Sequence, residues 1–129
     1  MTTTEPQIRS VNAGLADSLE ALADHLRDFP NFPNVMTVRL STNDTLSVLL
    51  EGDRGDGDRS YLLDAAATLV DTSWSAELNE TNGIWHVAVE GYMGDVPLRV
   101  KGQLDRDAAT SAAELCNWFA AQNDEAVDA

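Results

Sequence analysis

Apolar positions follow two periods along this chain, one near 3.6 residues and one of two, and the switches between them mark its elements. Leu15, Leu19, Leu22, Leu26 and Phe29 recur at spacings of four, three, four and three, which predicts a helix with one narrow apolar stripe. Asn12 or Ser10 can cap its start, and Pro30 with Pro33 ends it. A second helix is predicted from about Ser60 to Asp71, with Leu62, Leu63, Ala66, Leu69 and Val70 turned inward. A third is predicted to start at Asp105 or Asp107, with Ala108, Ala112, Leu115, Cys116 and Phe119 inward.

Five other segments alternate with period two and read as strands. A two-residue turn at Asn82-Gly83 pairs Leu78 with Val87 and Ala76 with Val89. A second, at Gly94-Asp95, pairs Val89 with Val100 and Trp85 with Leu104. The two turns give one consistent apolar face, and the opposite face receives Glu90 beside Arg99 and Asn79 beside His86. An earlier hairpin aligns Leu40 with Leu46 and Val38 with Val48 around Thr42-Asn43-Asp44. The order α-β-β-α-β-β-β-α predicts one α+β domain over residues 1–129, with 1–9 and 123–129 as frayed tails. Its sheet is expected to be mainly antiparallel and five-stranded, with helices on one face. The connection through the second helix leaves open whether one strand pair is parallel.

Charge changes the picture of partners. Twenty-two acids against eight bases give a formal charge of −14 over 129 residues, which argues against direct binding of nucleic acid or an anionic membrane through a basic surface. The imbalance is uneven, net −2 over residues 1–40, −7 over 41–80 and −5 over 81–129. No basic stretch followed by an apolar one opens the chain, and no apolar run reaches membrane-spanning length, so a cytoplasmic protein is expected. The single cysteine, Cys116, excludes an internal disulfide and any multi-cysteine metal site.

Candidates for chemistry fall away on spacing. Cys116 has no neighbouring histidine or base and sits on an inward stripe, so it reads as an inert core thiol. His25 and His86 form no ligand pair, and a calcium loop counted from Asp56 puts Tyr61 where glycine is required and Ala67 where the glutamate belongs. Glycines 52, 55 and 57 lack the lysine of a phosphate loop. Glu90 beside Arg99, and Glu77 two strands from Lys101, read as cross-strand surface pairs. No catalytic residue, metal site or cofactor is expected. One feature breaks a local rule. Asp17, Glu20, Asp24 and Asp28 form a carboxylate ridge about 180° from the leucine stripe, with steps of roughly 5–6 Å. Asp28 also faces the negative end of its own helix, so local stability does not favour the ridge.

The leucine helix ending in Asp28-Phe29-Pro30-Asn31-Phe32-Pro33, the hairpin after it, the run Tyr92-Met93-Gly94-Asp95-Val96-Pro97-Leu98-Arg99-Val100 and the cap Asp105-Arg106-Asp107 resemble those of uncharacterised small acidic α+β proteins of actinobacteria and their phages. The resemblance spans residues 12–120 and implies the fold, but no activity and no functional residues.

Three function classes follow. The first is a non-enzymatic accessory protein of a phage or mobile element that binds the basic, nucleic-acid-binding surface of a protein partner by charge mimicry. Asp17, Glu20, Asp24 and Asp28 would make the contact, with Asp53, Asp56 and Asp58 of the acidic 51–58 loop. The second is a homodimer similar to secretion chaperones, which share this size, acidity and mixed order but place three strands before two. Trp118 would then anchor the interface. The third is a small-ligand binder or enzyme using the polar sheet face around Glu77, Glu90 and His86.

Overall fold

The computed structural model describes residues 5–40, 45–51 and 59–128, with side chains described over 13–40, 45–51 and 59–122. Its elements run α1 (Glu5–Asp28), β1 (Val35–Leu40), β2 (Leu46–Leu50), α2 (Ser60–Ala66), β3 (Val70–Asn79), β4 (Ile84–Met93), β5 (Val96–Asp105), a 3-10 turn (Arg106–Ala108) and α3 (Ala112–Asp128). The expected α+β order is therefore present. The strands form one mixed sheet in the order β1-β2-β5-β4-β3. The β1–β2 hairpin and the β3-β4-β5 meander are antiparallel, and β2 joins them by pairing in parallel with β5.

One sheet face is apolar and lies under the helices. Leu46, Val48 and Leu50 of β2, Trp85, Val87 and Val89 of β4, and Leu98, Val100 and Leu104 of β5 are all buried there. Leu62, Ala65 and Ala66 of α2 and Leu115 and Phe119 of α3 close over them. Each large aliphatic or aromatic side chain so buried contributes about 1.5–3 kcal/mol. Phe119 also stacks on Trp74 of β3 with ring centroids 4.3 Å apart.

Register explains where expectation and structure part. The Gly94-Asp95 turn gives the predicted pairs Val89–Val100, Trp85–Leu104 and Glu90–Arg99. The other hairpin is shifted by two residues. Leu78 pairs with Trp85, Ala76 with Val87 and Asn79 with Ile84, leaving a four-residue connection, Glu80–Gly83. Asn79 Oδ1 accepts the Thr81 N–H, Gly83 N–H donates to Asn79 O at 2.8 Å, and Gly83 takes φ +68. These side-chain and backbone turn bonds close a longer loop than Asn-Gly alone suggests. A two-residue shift preserves the side on which every residue lies, so the apolar face is as expected while Glu77, not Asn79, stands opposite His86.

Helix limits differ for equally local reasons. α1 begins at Glu5, upstream of Ser10 and Asn12, and α1 and α3 extend into the stretches 5–9 and 123–128 expected to fray. α2 ends at Ala66 rather than Asp71, because the chain turns over residues 67–69 and Val70, expected inward, is exposed and opens β3, whose first pairs are interrupted by a bulge at Asp71 (φ +56). α3 starts at Ala112, not near Asp105 or Asp107. Ser111 Oγ accepts the Glu114 N–H at 3.1 Å, and Glu114 Oε2 reaches back to the Thr110 N–H at 3.0 Å. Ser111 thus caps the helix while Glu114 ties down the residue before it, a variant of the S-x-x-E cap that satisfies two backbone donors where a lone aspartate satisfies one.

β2 is five residues long beside a ten-residue β5, so β5 runs past it. Tyr61 of α2 fills the gap. Its hydroxyl donates to Gln103 O at 2.7 Å and accepts Gln103 N–H at 3.0 Å, satisfying the backbone edge that β2 leaves open. The approach is so close that a Cβ on Gly102 would lie 2.6 Å from Leu62 Cδ2 and 2.8 Å from the Tyr61 hydroxyl oxygen. Gly102→Ala is therefore expected to destabilise the fold by about 1–3 kcal/mol in denaturant unfolding, with the slope of the transition unchanged.

Candidate functional site

The acidic ridge of α1 is real and fully outward. Asp17, Glu20, Asp24 and Asp28 are all exposed, and the opposite side of the helix is anchored by buried Leu22 and His25. The anchoring covers only part of the leucine stripe expected to face the core. Leu26 is half-buried, whereas Leu19 (45%) and Phe29 (40%) are exposed, so α1 is fixed near its C-terminal end and open along the preceding turn.

His25 supplies that fixing. Its Nε2 lies 2.8 Å from Thr68 Oγ1, and the Thr68 hydroxyl donates to Ala65 O at 2.7 Å, which leaves its oxygen to accept a hydrogen bond from the ring Nε2–H. The imidazole packs at 4.6 Å from the Phe29 ring and edge-on to Phe32 at 5.7 Å. Burial lowers its pKa below the usual histidine value, against a smaller opposing pull from Asp28. Nothing local marks His25 as buried, because its burial depends on Thr68, which lies 43 residues away in sequence.

Below this anchor, α1 and the neighbouring ends of β3 and β4 bound a shallow groove of about 380 Å³. Asp24 and Asp28 stand on its rim, and exposed Phe29 and Val70 supply apolar wall. Among the described residues the one ion pair along the ridge, Arg27 to Asp24 at 3.2 Å, is solvent-exposed and worth little.

The other predicted residues are dispersed. Asp53, Asp56 and Asp58 lie outside the described residues, as does the Thr42-Asn43-Asp44 connection. Trp118 is at the edge of α3, 36% exposed, edge-on to Phe119, with the Arg59 guanidinium 4.7 Å above its ring. Burial pushes the Cys116 thiol up, away from a reactive thiolate. On the polar sheet face, Glu90 accepts a 2.9 Å hydrogen bond from Arg99, whereas Glu77 and His86 line an adjoining concavity of about 430 Å³ that shares Arg99 and Lys101 with the Glu90 side. These three do not converge on one site.

That face carries a cationic group the sequence reading missed. Arg39 joins Arg99 and Lys101 because β2 pairs with β5, and nothing local in the sequence signals that contact. Among the described residues no cluster of three or more His, Cys, Asp or Glu is placed to hold a metal, and no helix is long and apolar enough to cross a membrane. No family model, curated protein or solved structure matches the chain.

The His25 anchor gives a pH dependence with a definite sign. The unfolded chain binds the proton near pH 6.5 and the folded chain only at lower pH, so protonation favours unfolding. Thermal stability should hold steady above about pH 6.5 and fall as pH is lowered from there toward the depressed folded value. In His25→Asn that slope between pH 7.5 and 5.5 should flatten.

Proposed function

We propose that the protein is a non-enzymatic interaction module, an accessory factor of a phage or other mobile element, which engages a basic surface of a protein partner through α1. The observation that carries this reading is the groove at the foot of α1. Carboxylates of Asp24 and Asp28 border exposed Phe29 and Val70 there, so a lysine or arginine of a partner can lay its alkyl stem on the apolar wall and its head against the carboxylates. Asp17 and Glu20 continue the acidic row along the same helix and extend the complementarity to further cations. A surface that ordinarily grips phosphates has this preference, which is the sense in which the ridge mimics nucleic acid.

The test is affinity for a partner recovered from native lysate and then purified. Changing Asp17, Glu20, Asp24 and Asp28 together to Asn or Gln should weaken binding about tenfold or more at low salt, mainly through slower association. Duplex DNA should compete with the parent protein for that partner. Unaltered affinity in the neutralised variant rejects the reading.

A second reading, self-association, is favoured by a different feature. The helix layer stops short of β1, leaving Val38 (45%) and Leu40 (38%) exposed on the apolar side of an edge strand, beside Met36. β1 carries no acid and a single base, Arg39, so repulsion between copies is least there. Light scattering at rising concentration should then show a dimer that Val38→Lys returns to monomer; a monomer throughout excludes this reading.

A further inference from the structure

In a chain with eight basic residues, three of them line one open concavity of about 870 Å³ on the polar face of the sheet. Register sets their spacing. Arg39 pairs with Ser47, and Ser47 pairs with Arg99, so the two arginines flank Ser47 in one row across β1, β2 and β5. Two strand-to-strand steps put their Cα atoms about 9–10 Å apart, and Lys101 follows Arg99 on the same face at about 7 Å. Three cations this close repel one another, yet the fold compensates them only in part. Arg99 donates to Glu90, whereas among the described residues Arg39 and Lys101 have no ion-pair or hydrogen-bond partner for their side chains. The pose that pairs Arg99 with Glu90 also leaves its Nε buried without an acceptor.

We propose that this concavity binds a small phosphorylated molecule, its phosphate held between Arg39 and Arg99 over the Ser47 hydroxyl, with Lys101 completing the neutralisation. With Arg99 paired to Glu90, Arg39 and Lys101 are the two cations without an ion-pair partner among the described residues, and together they match the charge of a phosphate monoester dianion, with Asp71 at the far end of the concavity. Guanidinium forks from two strands suit a tetrahedral anion with several acceptor oxygens better than a single planar carboxylate. Reorienting Arg99 toward the ligand also gives its orphaned Nε an acceptor. The uncharged remainder of the ligand extends along the concavity past Tyr92. Asp71, on the opposite edge strand β3, closes that end with negative charge, which disfavours a second phosphate and hence a nucleic-acid strand. The site is on the other side of the sheet from the helix layer and does not depend on α1.

Titration with inorganic phosphate and with phenyl phosphate, followed by amide NMR, tests this, with acetate at matched ionic strength as the control. Saturable shifts centred on Ser47, Arg99 and Lys101 are expected with both phosphates, tighter for the ester, and none with acetate. Arg39→Gln and Lys101→Gln, both surface changes whose folding thermal unfolding checks, should each weaken binding about tenfold, and Arg27→Gln on α1 should leave it unchanged. Shifts that never saturate, that acetate reproduces, or that Arg27→Gln weakens equally would overturn the proposal. Equal affinity for the two phosphates would overturn it in favour of the free ion.

Discussion

The parallel pairing of β2 with β5 holds the two halves of this protein together, and most of its surface properties follow from it. The N-terminal hairpin has two strands, too few to be stable alone, and the C-terminal meander three. Joining them places Leu46 beside Leu98 and Val48 beside Val100, residues about 50 positions apart in the chain, in one continuous core under α2 and α3. Closing so long a loop has an entropic cost that grows slowly with length, and a row of fully buried aliphatic side chains offsets it. Tyr61 and Gly102 complete the junction where β2 ends, one by bonding the open backbone and the other by leaving room for it.

The same junction sorts the charge. Acids dominate the chain and are scattered over its surface, with the ordered row on α1 the exception. Bases are few, and the β2–β5 contact gathers three of them on the uncovered face. The molecule thus carries an anionic helix on one side and a local cationic patch on the other.

α1 differs from the rest of the helix layer in how it is held. α2 and α3 are pinned by side chains with no exposure at all, whereas α1 depends on Leu22 and on a neutral histidine bonded to a threonine hydroxyl. Leu19 and Phe29 stay exposed beside that attachment, and burial holds the His25 pKa below the usual histidine value.

The sequence by itself determined the elements, their order and the inward side of nearly every one. Periods of 2 and 3.6 are local, and a hairpin error of two residues, as at Asn82-Gly83, leaves that side unchanged. It also determined that Asp17, Glu20, Asp24 and Asp28 share one helix face, because helical geometry needs no tertiary contact. Helix limits were legible in part. The Ser111–Glu114 cap was present to be read, while the end of α2 was set by the turn that leads Val70 into β3. Only the tertiary structure decided that β2 runs parallel to β5, that Arg39 stands two strands from Arg99, that His25 is buried against Thr68, and that Val38 and Leu40 lie beyond the helix layer. Each of these joins residues far apart in the chain. Local propensity carries no record of such contacts, because they are selected by the burial of the assembled core.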